Sequence, residues 1–207
     1  MSDADDRPTT AKAEQKQRSH AAILHAAERL LRSRGIAGAS VADVMLGAGL
    51  TVGGFYAHFA SKRALIDAAL RRTASAMRAR LFARLDDKPP ADRAEVILKR
   101  YLSAAHRDDR GAGCPLPAVV GEVAISAPEH RDALGDQLDA FAAELEPHLP
   151  PRPAPLARRH LALGLIALMY GGISLARALR GTELSDEVLR ACRALGRLAV
   201  HADQESS

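Results

Sequence analysis

Within residues 40–62, Ser40, Thr51, Tyr56, His58 and Lys62 place hydroxyl, phenol, imidazole and ammonium groups close together along the chain. No nucleophile–base pattern, paired carboxylates, phosphate loop or metal motif accompanies them. The chemistry that Tyr56, His58 and Lys62 can do is recognition of a polyanion, because each of these groups can reach a phosphate oxygen. Thr51-Val52-Gly53-Gly54 adds a run of small, hydrogen-bonding positions. A surface that enters the DNA major groove, about 12 Å wide, must be small and able to hydrogen-bond. Lys62 follows Ser61 at the start of a helical pattern, where free backbone amides reinforce its charge as a phosphate site.

The elements that must position these groups can be read on both sides. From His20 to Arg34, Ile23, Ala26, Ala27, Leu30 and Leu31 recur at helical spacing, and Gly35 closes that helix. Ser40 is expected to cap the amide of Asp43, with Asp43 reaching back in a capping box; Val41, Val44 and Met45 form the apolar face. Gly47-Ala48-Gly49-Leu50 breaks this short helix. Thr51 is expected to cap the next helix, Val52 to Phe59, which Phe55 and Phe59 anchor to the protein. Ser61 is expected to cap a long helix from Lys62 to about Leu85. Two short helices joined by a tight glycine turn, after a longer one, make a helix-turn-helix.

Residues 1 to about 15 read as a mobile arm, and Asp86 to Pro90 as an internal boundary. Helices are expected at about 91–107, 115–126, 128–148, 155–180 and 185–201, the last opened by Ser185, Asp186 and Glu187. Pro147 to Pro155 reads as a stiff connection. No alternating strand pattern appears, so the fold class is all-α.

Composition agrees. The chain has 207 residues, 47% apolar and 26% charged, with 3% aromatics and no Trp. A core of Ala, Leu, Ile and Val favours helices. The most apolar stretch, Leu161 to Leu179, is interrupted by Gly164, Gly171, Gly172, Ser174 and Arg177, so no membrane span is expected. The first residues lack the apolar segment of a signal peptide, and a cytoplasmic location is expected. Cys114 and Cys192 read as free thiols. Residues 1–88 hold 15 Lys+Arg against 9 Asp+Glu, a balance of +6; the remainder carries −2. That asymmetry suits either a polyanionic partner or a solvated helix surface.

Ser40 to Leu65, SVADVMLGAGLTVGGFYAHFASKRAL, resembles the DNA-binding domain of the TetR/AcrR family: capped short helix, Ala48-Gly49-Leu50 turn, Gly54-Phe55-Tyr56, then Phe59-Ala60-Ser61-Lys62 and Leu65. The resemblance implies an N-terminal three-helix helix-turn-helix domain over 16–62 and a helical-bundle ligand-binding and dimerisation domain over 63–203. It implies a non-enzymatic regulator of transcription without a cofactor. Its expected partners are double-stranded operator DNA, a small-molecule effector and a second copy of itself, and no membrane. The function it implies is a repressor released from its operator by a small molecule, the alternative being a repressor that senses electrophiles or oxidants through Cys114. Ser40, Tyr56, His58 and Lys62 then hold phosphates, and Thr51, Val52 and Gly53 face the groove.

Gly113-Cys114-Pro115-Leu116-Pro117, with Glu122 downstream, is similar to a Gly-Cys helix start in one subgroup, some of whose members sense electrophiles or oxidants through that cysteine. A thiol at a helix N-terminus has a lowered pKa. A small buried cysteine filling space is the other reading. Pro115 and Pro117 depart from the subgroup's apolar run. Tyr101, Cys114, Met169 and Tyr170 are candidates to line a ligand cavity, or plain core. His106, Arg107, Asp108 and Asp109 are poorly spaced for a metal and read as a solvated helix end. Leu161, Leu165, Leu168, Gly172 and Leu175, with Val188, Leu189, Leu195 and Leu198, form apolar stripes. They serve a dimer, in which the family's last two helices pair across a twofold axis, or packing within one chain.

Overall fold

The computed structural model describes residues 7–109, 111, 113–150 and 157–201. Residues 1–6 of the expected arm and most of the proline-rich connection lie outside them. Every described element is helical: α1 Arg7–Arg34, α2 Val41–Gly47, a 3-10 segment Val52–Ala57, α3 Lys62–Leu81, α4 Pro90–Tyr101, α5 Ala104–Asp108, α6 Leu116–Ile125, α7 Arg131–Leu145, α8 Arg158–Ala178 and α9 Glu183–His201. Pro128–His130 and Glu146–His148 form 3-10 turns at either end of α7.

Four boundaries differ from the sequence pattern, each for a local reason. α1 begins at Arg7, so much of the expected arm is helix; residues 11–19 contain Ala, Lys, Glu, Gln and Arg with no Gly or Pro, and Glu14 pairs with Arg18 one turn later. The expected 91–107 helix is two, because Leu102 leaves helical geometry at ψ 43° and Ser103 caps α5 by accepting from the His106 amide at 3.1 Å. α3 ends at Leu81, and Arg84 turns the chain at φ 55°. α9 starts at Glu183 rather than at Ser185. Thr182 Oγ1 accepts from the Ser185 amide at 3.3 Å, while the buried Ser185 hydroxyl donates to the Ala176 carbonyl at 2.7 Å. Glu183 and Asp186 supply the first-turn acids.

The buried side chains form two cores. The first gathers Ile23, Ala27 and Leu31 of α1, Val44 and Met45 of α2, Phe55 and Phe59, Leu65, Ile66 and Leu70 of α3, and Val119 and Val123 of α6. The second gathers Met77 and Leu81 of α3, Ile97, Leu98, Tyr101 and Leu102, Phe141, Leu145, and Leu165, Ile166, Met169 and Ile173 of α8. Each large apolar side chain so buried contributes about 1.5–3 kcal/mol. α3 serves both cores, so a boundary at residue 62 falls on the first turn of a shared helix.

α8 bears on two expectations. By length and composition it is long and apolar enough to cross a membrane, despite its glycines and Arg177. In this fold it is the axis of the second core, burying Leu161, Ala162, Leu165, Ile166, Met169, Gly172, Ile173 and Ala176. The expected stripe therefore splits. Leu161, Leu165 and Gly172 pack within the chain, while Leu175 stays exposed.

Candidate nucleic-acid interface

Gly35 ends α1 at φ +70°, its amide bonded to the Leu31 carbonyl at 3.1 Å. At the start of α2, Ser40 Oγ accepts from the Asp43 amide at 3.1 Å and donates to Asp43 Oδ2 at 2.6 Å. The capping box is thus half-formed: Asp43 reaches back to the hydroxyl rather than to the Ser40 amide. α2 closes with a Schellman motif. Leu50 N bonds Met45 O at 2.9 Å and Gly49 N bonds Leu46 O at 3.0 Å, with Gly49 at φ +70°.

The segment after this turn winds as a 3-10 helix, not the α-helix expected. It is only six residues long, and Gly53-Gly54 gives it a high entropic cost of ordering. Thr51 has extended geometry but its side chain makes no capping bond, contrary to expectation; the Gly54 amide takes the Thr51 carbonyl instead, at 3.1 Å. Phe55 and Phe59 are buried as expected, their rings stacked with centroids 6.1 Å apart. His20 of α1 stacks on Phe59 at 4.5 Å, a contact with no signal in the sequence pattern.

The opposite side is open. Thr51, Gly53 and Ala57 are exposed, Val52 is 52% exposed and Tyr56 77%. Leu46 of α2, absent from the expected site, is 79% exposed; its place off the Val41–Val44–Met45 face was the available signal. Of the four expected phosphate holders, Tyr56 alone projects freely. Ser40 Oγ is engaged with Asp43. Lys62 Nζ donates to the Ile36 carbonyl at 3.2 Å. His58 is half-buried with Nδ1 unpartnered, and burial, then the neighbouring His20 and Lys16, lowers its pKa below the usual histidine value.

The expected ligand residues lie together in the second core. Tyr101, Cys114 and Met169 are buried in it, and the half-buried Tyr170 packs against that core. The Tyr101 hydroxyl interacts with the Cys114 thiol but without hydrogen-bond geometry, so it has no hydrogen-bond partner. Cys114 precedes α6, yet burial pushes its thiol up, the reverse of the shift expected at a helix N-terminus. Its amide donates to His106 Nε2 at 3.0 Å, and His106 Nδ1 meets the Tyr101 carbonyl at 2.6 Å. These bonds commit both ring nitrogens, so half-buried His106 is tied to the backbone, while Asp108 and Asp109 stay exposed at the helix end as expected. A groove of about 260 Å³ runs past Met77, Arg80, Leu81, Arg100, Tyr101 and His106. Another, of about 250 Å³, runs past Arg32, Ser33, Cys114, Pro117 and Arg177. Among the described residues no group of three His, Cys, Asp or Glu could hold a metal ion.

Residues 23–69 match the family described as bacterial regulatory proteins, tetR family. Among solved structures, a TetR transcriptional regulator from Chloroflexus aurantiacus is 28% identical, with a TM-score of 0.73 over 92% of this chain and 97% of that one. A TetR-family transcriptional regulator from a Rhodococcus species gives 0.72 at 19% identity, over 89% of this chain and 99% of that one. The reduced form of NemR from E. coli gives 0.70 at 23% identity, over 85% and 95%. A search of curated proteins finds no significant match.

Proposed function

We propose that the chain, whose residues 23–69 match the tetR family of bacterial regulatory proteins and whose fold is that of TetR-family regulators, is a homodimeric, cytoplasmic repressor that leaves its operator when a small molecule binds. The observation that carries this reading is the two-sided segment Val52–Ala57. Phe55 is buried on one side, and Thr51, Val52, Gly53 and Tyr56 are open on the other. In this reading Thr51, Val52 and Gly53 meet base edges. Tyr56 holds a phosphate directly, and Ser40, His58 and Lys62 join it when DNA competes for their present contacts.

The dimer is supported by two outward faces. On α9, Leu184, Ala191, Leu195 and Leu198 are exposed and Val188 half-exposed, a spacing of fours and threes suited to a helix–helix seam. On α8, Gly164, Ala167, Leu175 and Ala178 are exposed beside the half-buried Leu168 and Gly171. A twofold of this kind sets two reading segments about 34 Å apart, or a multiple of that.

An effector entering beside Tyr101 can release DNA only by binding two states of the dimer unequally. A coupling of about 1–3 kcal/mol weakens binding roughly 5- to 150-fold. Sensing by the Cys114 thiol is the rival mode. Its burial and raised pKa argue against it, and a Cys114→Ser chain that still responds to electrophiles ends it.

The test of the main reading is a gel shift with DNA flanking the chain's own gene. Preference for that DNA over a scrambled duplex is expected, and its absence overturns the reading. Lys62→Ala should weaken binding to every sequence and reduce the salt slope by about one. An unchanged slope takes Lys62 off the phosphate list.

A further inference from the structure

The turn between α1 and α2 is held by a residue from the other half of the chain. The Ile36 amide donates to Glu122 Oε1 at 3.0 Å and the Ala37 amide to Glu122 Oε2 at 2.7 Å. One carboxylate on α6 thus grips two successive amides with its two oxygens. Such charge-assisted bonds are about twice as strong as neutral ones. The Ile36 carbonyl, in the same turn, accepts from Lys62 Nζ. Ser40 opens α2 three residues after Ala37. The approach of α6 is close enough to dictate its neighbour: a Cβ at Gly35 would collide with Glu122 Oε1 and stand 2.9 Å from the Ala118 carbonyl.

We propose that Glu122 is a positioning residue for DNA binding. Its carboxylate sets the α1–α2 turn, and through that turn the placement of Ser40 and Lys62 before the phosphate backbone. The proposal rests on the reading of residues 40–62 as the DNA-contacting motif. It also gives the second half of the chain a hold on that motif. Cys114, two residues before the start of α6, donates its amide to His106, which lines the groove beside Tyr101. A shift of α6 therefore reaches the Ile36–Ala37 turn through the Glu122 carboxylate as well as through the packing of Val119 and Val123.

Glu122→Gln tests this in the full chain. It keeps the shape of the side chain but turns an amide N–H₂ toward a backbone N–H, so one of the two bonds is lost. Three quantities are read: hydrogen exchange at the Ile36 and Ala37 amides, the melting transition, and affinity over a range of salt for the duplex flanking the chain's own gene. Expected are faster exchange at those two amides, an intact cooperative transition, binding weakened about tenfold or more, and a shallower salt slope. A general structural role would lower the melting transition without selecting these amides or changing the slope. Folded Glu122→Gln protein with fast exchange but parental affinity and slope overturns the proposal, and so does parental exchange. Glu122→Ala is expected to exceed Glu122→Gln in every readout; if it unfolds, Glu122→Gln decides. A parent chain with slow Ile36 and Ala37 exchange that ignores the duplex refutes the DNA reading, and with it the positioning role, while leaving the two hydrogen bonds standing.

Discussion

His106 accepts from one backbone amide and bonds one backbone carbonyl, and this fixes its proton on Nδ1. Burial, reinforced by Arg177, pushes its imidazolium below the usual histidine range of about 6.5. The unfolded chain therefore takes up a proton that the folded chain refuses. Stability is unaffected above pH 6.5 and is lost as pH falls from there toward the folded value. Burial lowers His58 and His148 as well, and they act in the same direction. The urea midpoint is expected to drop between pH about 7.5 and about 5.5. The drop should be smaller in His106→Gln, which removes one of the three titrations. Equal drops in the two proteins would take His106 out of the account. The sequence pattern placed His106 at a solvated helix end, because the break at Leu102 that brings its ring to the Tyr101 carbonyl and the Cys114 amide is marked by no pattern. Phe55, Phe59 and Tyr56 were legible, since spacing along one short segment decides which side each occupies.

At the scale of elements, α8 and α9 meet where only a glycine fits. A Cβ on Gly172 would stand 2.8 Å from Cys192 Sγ and 2.9 Å from Leu102 Cδ2. Gly172→Ala should cost about 1–3 kcal/mol by overpacking, read as a lower denaturant midpoint. Gly164, whose Cβ would meet nothing within 4 Å, is the control. There alanine should be neutral or gain about 0.5–1 kcal/mol from helix propensity. Similar losses at both positions would mean that helix geometry, not the α8–α9 contact, sets the cost. The sequence resolved most helices but not the faces of α8. A helix apolar nearly all round has no polar side to fix the phase of its pattern. Caps were similarly divided. Ser40 and Ser61 cap as read, but the choice between Thr182 and Ser185 was made by the buried Ala176 carbonyl, a tertiary partner.

For the whole molecule, the all-α class and the helix-turn-helix were legible because both are local in sequence. The two-core division was not, since α3 and α6 are each shared between regions far apart along the chain. The exposed leucines of α9 carry the assembly prediction. Leu195→Glu combined with Leu198→Glu should convert a dimer to a monomer in sedimentation and weaken operator binding, because one half-site grip is lost. A double variant that keeps the dimeric mass would place the interface elsewhere.

The central position of α8 also orders events during synthesis. α4, α6 and α7 bury side chains against a helix that leaves the ribosome after all of them, within the last quarter of the chain. At roughly 5–20 residues per second, the apolar faces of α4 onward wait on the order of ten seconds for their cover. The first core closes sooner, once α6 has delivered Val119 and Val123. A nascent chain of this protein therefore presents a finished head and an open, adhesive body, and it is the body that chaperones would hold.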